Sequence, residues 1–303
     1  MPVSHVTISA EEAGQKLVPF LQRRLGKTVP RSALMRVIRK GQVRVDGKRA
    51  KPFDRIARGQ VVRIPPFAQE QADRISCLDQ HGDLPLLAED RNMLVVNKPA
   101  GLPVHPGTGW TDSVVTRLQA MFPDAPFAPT PVHRLDKNTS GILVVARAYG
   151  FLRDMQQLWQ QGQVDKVYLA WVQGRWPTRT TMRLTDRLTK SGGKGQEKMR
   201  VGSGKSGVCE VWPLRVGREA SLMAVRLLTG RTHQIRVQMA SRGFPLIGDP
   251  KYKGPRYPTM LLHAWRLSWP HHVFSLLPSW TGAFAVDHSL VHDTNPLVAQ
   301  GVL

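Results

Sequence analysis

The stretch Val132-His133-Arg134-Leu135-Asp136-Lys137-Asn138-Thr139-Ser140-Gly141 runs directly into Ile142-Leu143-Val144-Val145-Ala146. Five consecutive apolar residues after a polar segment read as a buried strand. Asn-Thr-Ser-Gly is a turn composition, because short polar side chains hydrogen-bond to nearby backbone and glycine tolerates positive φ. Spacing alone leaves two readings of Asp136. It caps its own hairpin loop, or it is a carboxylate held at a strand end by the Thr139 and Ser140 hydroxyls, with Arg134 reaching beside it.

Outward from this point, short apolar strands recur. Leu94-Val95-Val96, Tyr168-Leu169-Ala170-Trp171-Val172 and residues 222–228 all fit that description. Residues 148–161 read as a helix, with Phe151, Leu152, Met155, Leu158 and Trp159 in one apolar stripe and Gly162 as its stop. The Met and Trp of that stripe are core residues rather than a ligand set. From about residue 85 strands far outnumber long crossover helices. This predicts an α+β chain with a mixed, mainly antiparallel sheet. Residues 189–207, TKSGGKGQEKMRVGSGKSG, are rich in Gly, Ser and Lys and are expected as a flexible loop. Gly204-Lys205-Ser206 is no phosphate-binding loop, since that motif needs glycine five residues earlier, where Met199 stands.

The amino-terminal region has another texture. Ser9 and Glu12 form a capping box, and Ala13, Leu17, Phe20, Leu21 and Leu25 follow at helical spacing, which predicts a helix over 9–25. A second helix is expected from about Ser32 to Lys40, ending at Gly41. Leu34, Val37 and Ile38 share one of its faces. Arg36, Arg39 and Lys40 lie largely on the other, with Arg31 just before. Val43-Arg44-Val45 alternates as a strand, Asp46-Gly47 is a hairpin signal, and Val61–Ile64 returns as a strand before Pro65-Pro66. Residues 67–84 are polar and unpatterned. The expected division is therefore 1–66, a linker 67–84, a second domain 85–285 and a tail 286–303.

The charge is far from balanced. Forty-three Lys and Arg face 22 Asp and Glu, a net charge of +21 and a pI near 10.9. Residues 1–66 alone hold 15 Lys/Arg against 4 Asp/Glu, about half of the excess. Such a chain suits a polyanionic partner, above all nucleic acid. A membrane surface is the competing partner, but no basic amphipathic helix with a Trp/Phe-rich apolar face is visible. A helix whose outer face is arginine and lysine either lies along a phosphate backbone or is simply solvated. On the first reading Arg31, Arg36, Arg39, Lys40 and Arg44 are the RNA contacts. The stretch from Arg31 to Gly47 resembles the α-L RNA-binding domain of a small-subunit ribosomal protein and of many RNA-modifying enzymes. That likeness implies binding of structured RNA and says nothing of chemistry.

Several classes are disfavoured. Cys77 and Cys209 are far apart, which excludes a disulfide framework and an ordinary cysteine-rich zinc site. No run of about 18 apolar residues exists and no secretory signal is read, so a cytoplasmic setting is expected. His105, His133, His233 and His263 lack metal-ligand spacing and companion carboxylates, so no metal is expected.

His133-Arg134-Leu135-Asp136-x-x-Thr139-Ser140-Gly141 resembles the signature of the RluA-type pseudouridine synthases. Asn97-Lys98-Pro99-Ala100-Gly101-Leu102-Pro103-Val104-His105 resembles the family's upstream motif. Lys166-Val167-Tyr168-Leu169-Ala170 with Gly174 resembles its tyrosine motif, and Gly230-Arg231-Thr232-His233-Gln234-Ile235-Arg236 its arginine motif. Gly248-Asp249-Pro250-x-Tyr252 and Leu262-His263-Ala264 are similar to the closing ones. The order is right over about residues 85–270, and the likeness is greatest to the members acting on large-subunit ribosomal RNA. Asn138 stands where the family often has an acidic residue, and Gln238 where it often has histidine, departures that bear on substrate choice.

The resemblance implies a pseudouridine synthase fold and the isomerisation of uridine to pseudouridine without a cofactor. The substrate would be large-subunit ribosomal RNA or its precursor particle, and the protein a monomer. Asp136 would be the catalytic carboxylate. It attacks the anomeric carbon, adds to the uracil ring or removes a sugar proton, and in every route it must be ionised, which a cationic neighbour favours. Arg236 would be that cation. Tyr168 would stack on the base and pass protons. The base must leave its stack, and Arg134 would fill the space behind it. His133, Thr139, Ile142, Arg231 and Ile235 complete the expected substrate-binding set. Without the motifs, Tyr168 and Ile142 read as strand core and Arg236 as a surface arginine on a short helix. Two other functions stay open: a catalytically silent RNA-binding or ribosome-assembly protein, and a synthase acting on transfer RNA.

Overall fold

The computed structural model describes residues 3–26, 29–67, 82–107, 112–193 and 198–292. In chain order its elements begin with β1 (Ser4–Thr7), α1 (Leu17–Leu25), α2 (Arg31–Arg39), β2 (Arg44–Val45), β3 (Lys48–Arg49) and β4 (Val61–Ile64). Next come β5 (Leu86–Glu89), β6 (Met93–Lys98), α3 (Val114–Met121), β7 (Thr130–Pro131), β8 (Ser140–Ala146), α4 (Tyr149–Gln160) and β9 (Asp165–Gln173). Then follow β10 (Met182–Ser191), β11 (Lys198–Val201), β12 (Lys205–Val216), β13 (Ala220–Leu227), α5 (Gln234–Ala240), β14 (Leu262–Trp269), β15 (His272–Ser275) and α6 (His288–His292). None of the described helices is long and apolar enough to cross a membrane. The chain divides into two compact units, Met1–Val95 with His105–His133 and Val144–Gln157, and Val96–Val104 with Arg134–Leu143 and Leu158–Leu303.

In the first unit, β1-β4-β2-β3 form an antiparallel sheet against which α1 and α2 bury Leu17, Phe20, Leu21, Leu34 and Ile38. The helix expected over 9–25 starts only at Leu17. Ser9 and Glu12 do exchange their two capping hydrogen bonds, but these close an isolated turn. The reason is that the backbone of residues 14–16 is committed elsewhere. Gly14 N–H donates to the Ile56 carbonyl, Ile56 N–H donates to Gln15, and Lys16 bridges to Arg55 as extended chain. Asp46-Gly47 makes the expected hairpin turn, with φ of 48° and 75°. Leu34 and Ile38 face the core of α2 while Arg31, Arg36, Arg39, Lys40 and the following Arg44 are all exposed. The same unit packs Phe127, Ala146 and Leu152 together.

The second unit is built on antiparallel strands in the order β11-β10-β12-β13-β9-β14, with β8 then lying parallel to β14. Period two governs β9. Val167, Leu169 and Trp171 enter one core with Trp212, Leu222 and Trp265, so Tyr168 and Ala170 face the opposite side. The register of β9 against β14 shifts between Ala264 and Arg266, directly opposite Tyr168. Residues 189–207 are not a loop in their described part. β10 continues to Ser191 and pairs with β11 from Leu188↔Val201 to Ser191↔Lys198, while β12 begins at Lys205. Glycine there serves close approach, since a Cβ on Gly204 would lie 1.9 Å from the Leu188 carbonyl oxygen. Cys77, residues 68–81 of the expected linker, residues 194–197 and residues 293–303 of the expected tail lie outside the described residues. In the described part of the expected tail, residues 286–292, Val286 and Val291 are buried against β9 and β12 residues.

The parallel contact between β8 and β14 sits immediately after the Asp136 turn, at His263↔Ser140 and Ala264↔Gly141. Gly141 has a φ of 110°, and a Cβ there would meet the Ala264 oxygen at 2.4 Å and nitrogen at 2.7 Å. Gly141→Ala is therefore expected to cost about 3 kcal/mol or more, from strain and strand separation together. Urea unfolding of the variant checks this, and an unchanged midpoint would contradict the close packing.

Candidate active site

The turn carrying Asp136 is fixed from three directions. Thr139 N–H donates to the Asp136 carbonyl at 3.1 Å, closing the turn itself. Lys98, fully buried, sends its Nζ to the carbonyls of Lys137 at 3.0 Å, Leu102 at 2.7 Å and Pro99 at 2.8 Å. Gly101 N–H donates to the same Lys137 carbonyl at 2.9 Å. Burial lowers the Lys98 pKa to about 7, and the charge of Asp136 opposes that. Three carbonyl acceptors match the three N–H bonds of an ammonium, so this cage is shaped for the charged form. On the third side Ser140 Oγ is 2.8 Å from His263 Nδ1, whose Nε2 reaches the Leu276 carbonyl at 2.9 Å. A carbonyl only accepts, so Nε2 carries the proton and Ser140 donates to Nδ1.

The carboxylate of Asp136 meets an arginine that is itself held rigidly. Arg236 Nη1 is 3.2 Å from Asp136 Oδ2. Its Nε and Nη2 both donate to Asp249 at 2.8 Å, a bidentate pair in which Asp249 is 0% and Arg236 5% exposed. Asp249 also accepts from the backbone N–H groups of Lys251 and Tyr252. Burial alone would lower the Arg236 pKa. The hydrogen bonds and charge of Asp249, with Asp136 adding, outweigh it and raise the value. The Tyr252 ring lies 5.2 Å from the guanidinium carbon. His233 stands nearby, its Nε2 3.8 Å from Asp136 Oδ2. Burial is the main cause lowering the His233 pKa, opposed by Asp136. Tyr168 is nearly buried, and burial, then the Asp136 charge, push its phenol far above the ordinary range. It is a neutral hydroxyl at physiological pH.

Asp136, Arg236, His233 and Tyr168 line one cleft of about 120 Å³. It brings together Arg134, Asp136, Thr139, Tyr168, Arg231, Ile235 and Arg236 from the sequence-derived set, along with His233, Leu227 and Leu262. Arg134 and Arg231 are exposed there, and Arg231 Nε donates to the Ser206 carbonyl at 2.9 Å. Two residues of the set stand elsewhere. Ile142 is 1% exposed within β8, and His133 Nε2 accepts from Val144 N–H at 3.1 Å. Asp249, Tyr252, Lys98 and His263 belong to quoted motifs but had no role assigned. Asp249 is the one that spacing could have flagged: an acidic residue in an otherwise apolar and glycine-proline segment needs a buried cation.

The sequence pattern of RNA pseudouridylate synthases matches residues 92–241. A ribosomal large subunit pseudouridine synthase C of Yersinia pestis is 37% identical over 284 residues, covering 89% of this chain and 88% of that protein. The chain belongs to the RNA pseudouridylate synthase family. The protein of the same name from Escherichia coli K12 is 37% identical over 269 residues, covering 86% of this chain and 83% of that one. Among solved structures, Human RNA Pseudouridylate Synthase Domain Containing 4 aligns with a TM-score of 0.54 at 23% identity, covering 67% of this chain and 91% of that one. That likeness is one of fold.

The pH dependence of this synthase's stability follows from His263. Burial lowers its pKa to about 4, below the ordinary histidine value near 6.5. Between those values the unfolded chain takes up a proton that the folded chain refuses. The stability contribution is therefore complete above pH 6.5 and is lost as pH falls toward 4, at up to about 1.4 kcal/mol per pH unit. Denaturant unfolding at pH 7.5 and 5 is expected to show this loss, and His263→Gln to reduce it. An equal loss in both proteins would remove His263 as the cause.

Proposed function

We propose that this synthase isomerises uridines in large-subunit ribosomal RNA, as the names of its relatives state for them, and that Asp136, Tyr168 and Arg236 do the chemistry. The observation carrying this reading is the 3.2 Å pair of Asp136 and Arg236 in a cleft shared with the Tyr168 hydroxyl. Isomerisation breaks the bond from the sugar to N1 of uracil and makes one to C5. N1 ends protonated and C5 loses its hydrogen. A carboxylate serves as nucleophile toward the anomeric carbon or the uracil ring, or as base toward the sugar, and Arg236 fixes its direction and balances its charge. Tyr168, neutral and nearly dry, supports the turned base and carries a proton at its oxygen.

The same reading assigns RNA capture to exposed charge. Arg31, Arg36, Arg39, Lys40 and Arg44 meet phosphates, and Arg134 at the cleft enters the gap left by the extruded base. Thr139, Arg231 and Ile235 border the nucleoside. His133 and Ile142 act one step back, by fixing the β8 segment. The protein works as a monomer in the cytoplasm, on free RNA or on an assembling particle.

Asp136→Asn is expected to bind RNA with near-normal affinity and to form no pseudouridine, read by chemical mapping of modified uridines. Product at the normal rate would reject the role of Asp136. A wild-type protein that forms none on ribosomal or transfer RNA would favour a silent RNA-binding protein. Neutralising Arg36, Arg39 and Lys40 together with glutamine is expected to reduce the slope of log affinity against log salt by about 2, at ~0.7–0.9 per phosphate contact. An unchanged slope would mean that this face of α2 is only solvated.

A further inference from the structure

Both contacts to Asp136 from the α5 region, Arg236 Nη1 and His233 Nε2, fall on Oδ2. The histidine is held by an unusual set of partners. It precedes α5 with a left-handed φ of 53°, a conformation that tertiary contacts must stabilise. Its Nδ1 is 3.0 Å from the Tyr252 hydroxyl, and the two rings meet edge to face at 88°. The Tyr252 oxygen also accepts from Met199 N–H, on β11, at 2.9 Å. A phenol oxygen that already accepts one hydrogen bond is best completed by donating its own proton, here toward Nδ1. An imidazole that accepts at Nδ1 carries its hydrogen at Nε2. The other end gives the same answer, since a carboxylate 3.8 Å away is better faced by an N–H than by a lone pair.

We propose that Tyr252 is a positioning residue, fixing His233 in its Nε2–H tautomer so that this N–H dipole and the Arg236 guanidinium together hold Oδ2 of Asp136 and present Oδ1 to the nucleoside. The link to catalysis rests on the role of Asp136 proposed above. The tautomer itself does not. At 3.8 Å the contact is a charge–dipole interaction rather than a hydrogen bond. With the other tautomer a lone pair would face the carboxylate, and Oδ2 would be pushed away. The remaining charged groups around His233 are Asp249 and Lys251, which act on it in opposite directions, while burial keeps the ring neutral near pH 7. β11 enters the relay through one backbone N–H, so the hairpin of β10 and β11 and the orientation of the carboxylate are linked through a single phenol.

Long-range nitrogen–proton NMR of histidine-labelled protein reads the tautomer directly. The intact protein is expected to show hydrogen on Nε2 of His233, and Tyr252→Phe, which keeps the ring beneath Arg236, a mixture. Hydrogen on Nδ1 in the intact protein would overturn the proposal whatever the activity. In kinetics on RNA, Tyr252→Phe is expected to lower kcat about tenfold with KM unchanged, the scale of one oriented contact to a charge. The loss should shrink at low pH, where protonated His233 carries both hydrogens. In a His233→Gln background, whose side-chain amide has no tautomer to choose, removing the Tyr252 hydroxyl should cost nothing further. A tenfold loss persisting in that background would reduce Tyr252 to a tether for Met199. If Asp136→Asn remains active while the NMR result holds, the fault lies in the catalytic assignment and not in the relay.

Discussion

A carboxylate that nobody would place at the reaction centre organises this site. Asp249, wholly buried, grips Arg236 with both oxygens and leaves the arginine a single direction in which to offer its remaining nitrogen. Two charges taken from water together are tolerable only when geometry is close to ideal and further donors fill the remaining lone pairs. The backbone amides of Lys251 and Tyr252 do that here. Removing either partner would leave an uncompensated charge in the interior. The orientation of Asp136 therefore inherits its precision from the Asp249–Arg236 pair.

Around that pair, separate devices converge on the turn from Asp136 to Gly141. Lys98 gathers main-chain carbonyls, His263 takes the hydroxyl of Ser140, and Gly141 lets β14 approach to backbone contact. Each acts on backbone or on a short polar side chain, and none on the Asp136 carboxylate. The turn is pre-organised, so binding energy from RNA need not be spent in shaping it.

The sequence revealed parts of this unevenly, and for physical reasons. β8 and β9 were legible because their aliphatic runs are buried on both faces. Tyr168 and Arg236, which both line the cleft, were marked out only through motif resemblance. By composition they look like a core tyrosine and a surface arginine. The short helix read around Arg236 is α5, but its burial was not legible, because Gln234–Ala240 is buried almost all round and shows no amphipathic stripe. β10, β11 and the start of β12 were missed because Gly, Ser and Lys suggest a loop, whereas here the glycine permits close strand contact. The helix expected from Ser9 failed because a valid capping box cannot outweigh backbone already paired to Gly14 and Gln15. Partners such as Arg236 with Asp249, or Tyr252 with Met199, are distant along the chain and leave no periodic trace.

The cage around Lys98 separates two sensitivities. An ammonium enclosed by three carbonyl oxygens and shielded from solvent is barely reached by mobile ions, whereas the arginines of α2 stand in the full ionic atmosphere. On the proposed reading of α2, ionic strength governs how often the molecule meets its polymer, while the enclosed turn is far less sensitive to it.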